Sequence, residues 1–303
     1  ISYFMNPKNM DMWDKIVDVS TCHLQADPSN AIRNFIRSYA HKNKVAFFDP
    51  KNKTGFLRSL MIRTTSTEEV MIVLQVFHKE DTILFPLLDA VAQEFPDLTS
   101  LQYVINGKAN DTLYDQEIVC YKGQDYITEV MEALQFRITA KSFYQTNSLQ
   151  AYELYKVVRE LADLQGDELV YDLYTGTGTI AQFVAQKVQK VVGVDVVPDS
   201  INAAKSNAVH NKIDNVFFET GDMKAIFTEE FVDRHGKASV VITDPPRDGM
   251  HKDVVQQLLD LSPERIVYVS CNSATQARDL SLMKDQYRLV ASQAVDMFPQ
   301  THH

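Results

Sequence analysis

The chain has 303 residues, of which 45% are hydrophobic and 23% charged, the composition of a globular protein with one or two domains. Ten glycines and ten prolines are too few for a low-complexity or collagen-like chain, which excludes disorder as the main state. No apolar run approaches the ~20 residues that span a bilayer. We therefore expect a cytoplasmic protein that does not associate with membranes.

Three cysteines, Cys22, Cys120 and Cys271, lie far apart and lack metal-ligand spacing. This argues against a disulfide framework, a zinc ribbon and a cysteine-ligated iron–sulfur cluster. The general expectation for each is a small buried side chain, and we expect no metal site. Because residue 1 is Ile, we expect the native protein to begin upstream, with a signal peptide or another module.

The net charge of −10 argues against a protein coated in nucleic acid. Residues 31–65 are an exception, because they carry eight basic residues against one acidic residue, a local charge of +7. Such a stretch indicates either a solvated helix face or a surface that binds a polyanion. The eight basic residues are Arg33, Arg37, Lys42, Lys44, Lys51, Lys53, Arg58 and Arg63.

The first half of the chain, over residues 1–140, has the pattern of a smaller α+β domain. Apolar residues at helical spacing predict a helix over 28–41, and β-branched or alternating runs predict strands. We predict strands at 56–64, 70–77 and 101–105, a second helix at 84–95, and turns at Asn106-Gly107 and Lys122-Gly123.

From residue 141 to residue 303, strands and helices alternate strictly. Apolar strands separated by helices are typical of a parallel sheet covered on both faces, a Rossmann-like α/β domain. Ligands bind such sheets at the carboxyl ends of the strands, so we expect functional residues just after each strand. We predict strands at 169–173, 191–194, 216–219, 240–243 and 266–270, and helices at 147–164, 179–187, 198–210, 251–261 and 274–285. In the first of these helices we expect Leu149, Tyr152, Leu154, Tyr155, Val158 and Leu161 to face the interior.

The first strand is followed by a turn with two glycines, Gly176 and Gly178, which lets a ligand approach the backbone. The third glycine of the dinucleotide fingerprint is replaced by Ala181, which makes NAD a weaker candidate without excluding it. Asp195 follows the second strand, where a carboxylate can accept both ribose hydroxyls of NAD or of S-adenosylmethionine. Asp222 follows the third strand and suits either an adenine amine or a helix N-cap.

The fourth strand leads into Asp244-Pro245-Pro246-Arg247, where the prolines stiffen the turn and hold the carboxylate at the sheet edge. Cys271 follows the fifth strand, at the edge that carries the other ligand-type groups. An adenine-ribose cofactor beside a thiol indicates methyl transfer to an unreactive carbon. A thiolate that adds to carbon 6 of a pyrimidine makes carbon 5 nucleophilic.

These motifs resemble the RNA 5-methyluridine methyltransferases that modify tRNA or 23S ribosomal RNA. The resemblance covers most of 141–303 and extends to residues 55–64 in the first half. It is carried by FYQTN at 143–147, DLYTGTGT at 172–179, VVGVD at 191–195, DPPRDG at 244–249, IVYVSCNSATQARDL at 266–280, DMFPQTHH at 296–303 and GFLRSLMIRT at 55–64.

The resemblance implies that Cys271 is the nucleophile of an S-adenosylmethionine-dependent enzyme that methylates RNA, with ribosomal RNA preferred over tRNA. It further implies that the cofactor pocket is lined by Gln145, Tyr174, Asp195 and Asp244, with Asp222 and Thr179 as further candidates. We expect a monomer. The N-terminal barrel and the four-cysteine iron–sulfur site of some members are not visible in this sequence. The resemblance implies a catalytic Glu at a position beyond His303, so we expect the native chain to continue.

Three alternatives stay open. A cytosine carbon-5 RNA methyltransferase uses similar thiol chemistry, but such enzymes carry a cysteine beside the proline where this chain has Arg247. An adenine-N6 enzyme needs an aromatic residue at that position to stack the base. In the third alternative, the chain is a non-catalytic RNA-binding module that retains the cofactor pocket.

Overall fold

The computed structural model describes residues 19–301 and divides the chain into two compact units. The first unit contains the described residues up to Glu129 together with Ile138–Lys141. The second contains Val130–Arg137 and the described residues from Ser142 onward. Within the described residues, no helix is both long and apolar enough to cross a membrane. The domain boundary between residues 140 and 141 stays a prediction.

The first unit is a four-stranded sheet with two helices. Its strands are β1 (Leu57–Thr64), β2 (Val70–Val76), β3 (Ser100–Ile105) and β4 (Ile118–Gly123), and its helices are α1 (Ser29–Lys42) and α2 (Asp81–Glu94). The strands lie in the order β1-β2-β3-β4, with β2 and β3 parallel and the other two pairs antiparallel. Every residue of β2 is buried, so this strand forms the centre of the core.

The predicted helices and strands of the first unit are confirmed, and residues 118–139 contain three strands that were not predicted. The sequence analysis did not identify β4, and Lys122-Gly123, predicted as a turn, are the last residues of that strand. It also left out β5 (Tyr126–Met131) and β6 (Leu134–Thr139), which form a separate two-stranded sheet.

The second unit is built on a five-stranded sheet whose strands all run parallel. Its strands are β7 (Leu169–Leu173), β8 (Lys190–Asp195), β9 (Val216–Thr220), β10 (Val240–Thr243) and β11 (Arg265–Tyr268). Its helices are α3 (Ser148–Ala162), α4 (Thr179–Ala185), α5 (Pro198–His210), α6 (Glu229–His235), α7 (Lys252–Leu261) and α8 (Ser273–Met283). The order β11-β10-β7-β8-β9 reverses direction between β7 and β10, the point where such sheets bind ligands.

Three details of the second unit differ from prediction. Leu149, expected in the interior, is 74% exposed, whereas Tyr155 and Val158, which were expected there as well, are buried. Strand β11 ends at Tyr268 rather than 270, since its partner β10 ends at Thr243 before the proline pair. Helix α6 was not predicted; it begins after Thr228, whose side chain accepts a hydrogen bond from the Phe231 backbone.

Candidate active site

The predicted ligand-type side chains lie at one edge of the parallel sheet. Asp195 is the last residue of β8, and Asp222 and Asp244 follow β9 and β10. Cys271 lies between β11 and α8. Because the carboxyl ends of parallel strands meet at the same edge, the topology brings these four residues to one side of the second unit.

The turn after β7 has an unusual backbone in which Tyr174, Gly176 and Gly178 have φ values of 59°, 55° and 75°. A Cβ on Gly178 would lie 2.6 Å from the ring of Phe218, so this glycine is required for packing. A Cβ on Gly176 would meet no atom within 4 Å. The backbone at Gly176 therefore borders open space and can be approached closely by a ligand.

The side chain of Asp195 connects this turn to β8 through a hydrogen bond. One carboxylate oxygen accepts a hydrogen bond from the Gly176 backbone N–H at 2.9 Å, and the other accepts one from Val197 at 2.9 Å. A carboxylate has about four acceptor positions, so each oxygen retains one for a further donor. Asp195 can therefore position the turn and still accept hydroxyl groups of a ligand.

Asp172, within β7, is a site residue that the sequence analysis did not select. It is 1% exposed, and one oxygen accepts hydrogen bonds from Thr175 Oγ1 at 2.5 Å and Ala181 N–H at 3.1 Å. Its other oxygen, Oδ1, is buried and has no hydrogen-bond partner among residues 19–301. Burial raises the pKa of Asp172 to about 7, with the charges of Asp244 and Asp195 acting in the same direction. The signal in the sequence was an acidic residue in an otherwise apolar strand.

This edge of the sheet is rich in acidic residues. Burial raises the pKa of Asp244 to about 6. Burial also raises the pKa of Tyr174 to about 12, and the charges of Asp222, Asp279 and Asp195 add to the effect. The charges of these carboxylates act together at this edge, which favours a ligand carrying positive charge.

Asp222 is exposed, and it organises a turn rather than a helix. Its Oδ1 accepts a hydrogen bond from Lys224 N–H at 3.0 Å, and its carbonyl accepts one from Ala225 at 2.9 Å. The alternative of a helix N-cap is wrong, because the next helix begins at Glu229 with Thr228 as its cap.

Cys271 is exposed, and its turn is tied to the loop after β10. The Asn272 side chain caps α8 by accepting from Ala274 N–H at 3.1 Å and donates to the Arg247 carbonyl at 3.2 Å. Thr275 Oγ1 donates to the same carbonyl at 3.1 Å. Cys271, which its position at the sheet edge set apart from the general expectation of a buried cysteine, is exposed; that expectation is right for Cys22 and wrong for the exposed Cys120.

Asp279 is a second site residue that the sequence analysis missed. It is fully buried in α8, and its Oδ2 accepts hydrogen bonds from Met250 N–H and Tyr268 OH, both at 2.7 Å. Its Oδ1 pairs with Arg278 at 2.7 Å, and Arg278 donates to the Asp248 carbonyl at 2.8 Å. This network fixes the loop that follows Asp244-Pro245-Pro246 against the helix that follows Cys271.

The segment between β6 and α3 borders the glycine turn. The Phe143 carbonyl accepts a hydrogen bond from Thr177 Oγ1 at 3.4 Å, and half-buried Gln145 lies two residues further along the chain. Thr179 is buried as the first residue of α4. His302 and His303, the end of the DMFPQTHH motif, lie outside the described residues. Across residues 19–301 there is no group of three or more His, Cys, Asp or Glu that could hold a metal ion.

A parallel sheet with a glycine turn, an acid after each of three strands and a thiol after the fifth defines an α/β protein of the methyltransferase type. The family model of the tRNA (uracil-5-)-methyltransferases matches residues 61–303. The chain belongs to this family, and the resemblance noted in its sequence is confirmed.

Two relatives are named uncharacterized RNA methyltransferases. The chain is 55% identical to that of Porphyromonas gingivalis, over 96% of this chain and 64% of the relative. It is 51% identical to that of Bacteroides thetaiotaomicron, over 96% of this chain and 65% of the relative. The chain therefore spans just under two thirds of the length of these relatives.

Among solved structures, the chain is similar to the tRNA (uracil-54, C5)-methyltransferase of Pyrococcus abyssi in complex with S-adenosyl-L-homocysteine. The TM-score is 0.77 and the identity 31%, over 95% of this chain and 68% of that one. This similarity confirms the predicted α/β class, with a Rossmann-like domain and an additional sheet in the N-terminal part.

Asp172→Asn tests the burial of a carboxylic acid at this edge. Between about pH 4 and pH 7 the folded chain retains a proton that the unfolded chain has lost, so stability falls as the pH rises through this window. Asn keeps the acceptor for Thr175 and Ala181 and cannot ionise. We expect the unfolding free energy of wild type, relative to this variant, to fall by on the order of 3 kcal/mol between pH 5 and pH 8.

Urea denaturation at several pH values measures this difference. Asp285→Asn, at an exposed position, is the control and should follow the wild-type curve. Parallel curves for wild type and Asp172→Asn would show that Asp172 does not titrate in this range.

Proposed function

We propose that the chain catalyses S-adenosylmethionine-dependent methylation of carbon 5 of a uridine in RNA, with Cys271 as the nucleophile. The observation that carries the proposal is an exposed thiol tied through Asn272 to the loop after Asp244, at the same sheet edge as the open glycine turn. The family of the chain supports it. So does the S-adenosyl-L-homocysteine bound to the Pyrococcus abyssi protein.

The residues of the second unit fit S-adenosylmethionine. The open space beside Gly176 admits a ligand against the backbone, and Asp195 has acceptor capacity for ribose hydroxyls. The acidic surroundings of Tyr174 suit the cationic methionyl part, because the sulfonium and ammonium groups carry positive charge. Gln145, Asp222 and Asp244 complete the proposed pocket, and Thr179 supports it from α4.

The proposed reaction starts when the Cys271 thiolate forms a bond to carbon 6 of uracil, which sends the carbon 5–carbon 6 π electrons toward the carbon 4 oxygen. S-adenosylmethionine, when bound, would supply the electrophilic methyl group: carbon 5 would form a bond to the methyl carbon as its bond to the sulfonium sulfur breaks, which leaves S-adenosyl-L-homocysteine. A general base then removes the carbon 5 proton. The electrons re-form the ring double bond as the bond from Cys271 to carbon 6 breaks.

For the RNA, we propose 23S ribosomal RNA as the substrate. Transfer RNA is the second candidate, favoured by the names of the family and of the Pyrococcus abyssi enzyme. Both substrates contain uridines that a carbon-5 methyltransferase can modify, so the product alone does not separate them.

The test incubates the protein with labelled S-adenosylmethionine and unmodified transcripts of 23S ribosomal RNA and tRNA, followed by nucleoside mass spectrometry. We expect 5-methyluridine, at one position of the ribosomal transcript. Label in tRNA alone would show that tRNA, and not 23S ribosomal RNA, is the substrate. Formation of 5-methylcytidine would favour the alternative of a cytosine carbon-5 methyltransferase. RNA binding without methylation would favour the alternative that the chain is a non-catalytic RNA-binding module.

Asp195→Ala tests the cofactor pocket. Loss of two charge-assisted hydrogen bonds to ribose is expected to weaken S-adenosylmethionine binding by about 1.5–3 kcal/mol. Isothermal titration calorimetry measures the change, and Asp199→Ala, which removes an exposed carboxylate in the first turn of α5, is the control. Unchanged affinity of the Asp195 variant would remove this residue from the ribose site.

A further inference from the structure

The structure divides the eight basic residues of 31–65 into four arginines that are buried or half-buried and four lysines that are exposed. Arg58 is 6% exposed, forms an ion pair with Asp111 at 2.8 Å and donates to three backbone carbonyls, so it stabilises the fold. Arg33 donates to Asn30 Oδ1 at 2.7 Å and to the Ser20 carbonyl. The exposed group comprises Lys42, Lys44, Lys51 and Lys53.

These four lysines lie on adjacent segments of the first unit. Lys42 is the last residue of α1, and Lys51 and Lys53 lie in a hairpin closed by the backbone bond from Asp49 N–H to the Thr54 carbonyl at 2.7 Å. The two segments touch, because the rings of His41 and Phe47 lie 5.5 Å apart. We call Lys42, Lys44, Phe47, Lys51 and Lys53 the basic hairpin surface.

Asp49, the one acidic residue of 31–65, accepts hydrogen bonds from other residues of the hairpin. Asp49 accepts hydrogen bonds from Lys51 N–H at 2.9 Å and from the backbone and side chain of Asn52 at 3.3 and 2.7 Å. These bonds hold the pKa of Asp49 below its usual value, the Asn52 side chain contributing most. Asp49 therefore shapes the hairpin tip, and positive charge dominates its surface.

The basic hairpin surface also presents an aromatic ring. Phe47 is 42% exposed, and its backbone is held by a bridge to Leu57 at the start of β1. An exposed ring among lysines is the arrangement that binds single-stranded nucleic acid, since the lysines contact phosphates and the ring stacks on a base. A purely solvated helix face would not need the ring.

We propose that the basic hairpin surface binds a single-stranded segment of the RNA substrate, with phosphates on the four lysines and one base on Phe47. The inference rests on the proposed function, because it takes RNA as the substrate. It assigns RNA contact to the first unit, outside the cofactor pocket of the second.

The experiment measures binding of a fluorescein-labelled 20-nucleotide single-stranded RNA to the full chain as a function of salt. Each phosphate contact contributes about 0.7 to the slope of log affinity against log salt, so replacing all four lysines by Gln should lower the slope by about 3. Phe47→Leu should weaken binding about tenfold and leave the slope unchanged. Lys51→Gln/Lys53→Gln is paired with the control Lys79→Gln/Lys122→Gln, two exposed lysines of the same unit.

A slope that falls equally in the two double variants would overturn the proposal, as would wild-type affinity in Phe47→Leu. The methylation assay separates this failure from failure of the proposed function. A wild-type protein that methylates RNA while all surface variants bind as it does has the proposed function but a different RNA surface. A wild-type protein that neither binds nor methylates RNA overturns both.

Discussion

Cys271→Ala is expected to lower uridine methylation by at least about 10⁴-fold, because carbon 5 of uracil is too weak a nucleophile without thiolate addition at carbon 6. S-adenosylmethionine binding should change less than about twofold. The sheet edge and the glycine turn shape the proposed pocket, and the sulfur does not. Methylation rates and calorimetry on the same preparations measure the two quantities.

A covalent trap makes the assignment specific. RNA with 5-fluorouracil at the target should accumulate a methylated adduct with wild type, because fluorine cannot leave carbon 5 as a proton does. The adduct is seen as a band of retarded mobility in a denaturing gel. Cys271→Ala should form none, whereas Cys120→Ala, which removes the other exposed cysteine, should form it at the wild-type rate.

Two outcomes would contradict this mechanism. Methylation of uridine by Cys271→Ala at a rate near that of wild type would exclude thiol addition at this position. An adduct that persists in Cys271→Ala would identify a different nucleophile.

Much of the second unit could be predicted, since the apolar pattern of its strands in the sequence agrees with the burial of those strands in the structure. Strands β7 and β10 were located to the residue, because fully buried parallel strands read as short apolar runs between helices. The rule that ligands lie at carboxyl strand ends then selected Asp195, Asp244 and Cys271 without any contact information. Their roles in binding and catalysis stay predictions.

What could not be predicted depends on tertiary contacts. Arg58 belongs by sequence to a basic stretch, and only the folded chain shows that Asp111 and three carbonyls surround it. Leu149 fits helical spacing, yet the face that α3 buries is chosen by its neighbours. Asp279 was missed for the same reason, because its partners Met250 and Tyr268 precede it by 29 and 11 residues.

Asp279→Ala is expected to lower the unfolding free energy by about 3–5 kcal/mol. The substitution leaves the buried Met250 N–H and the hydroxyl of half-buried Tyr268 without their acceptor, and removes the carboxylate that pairs with Arg278. The loop that follows Asp244-Pro245-Pro246 then loses one of its attachments to α8, the bond from Met250 N–H, while Thr275 Oγ1 still donates to the Arg247 carbonyl. Urea denaturation measures the loss, and Asp248→Asn is the control because the Asp248 side chain is exposed; its unfolding free energy should stay within about 0.5 kcal/mol of wild type.

Asp279→Asn separates positioning from stability. The amide oxygen can still accept from Met250 and Tyr268, but its NH₂ group faces the Arg278 guanidinium, so the pair is lost while the side-chain volume is kept. If the network positions Cys271 against the substrate, kcat falls by about tenfold or more while the KM for S-adenosylmethionine stays near wild type. A fall in kcat accompanied by an equally large rise in the KM for S-adenosylmethionine would instead place Asp279 in cofactor binding. Wild-type stability of Asp279→Ala would show that the buried network does not hold the loop.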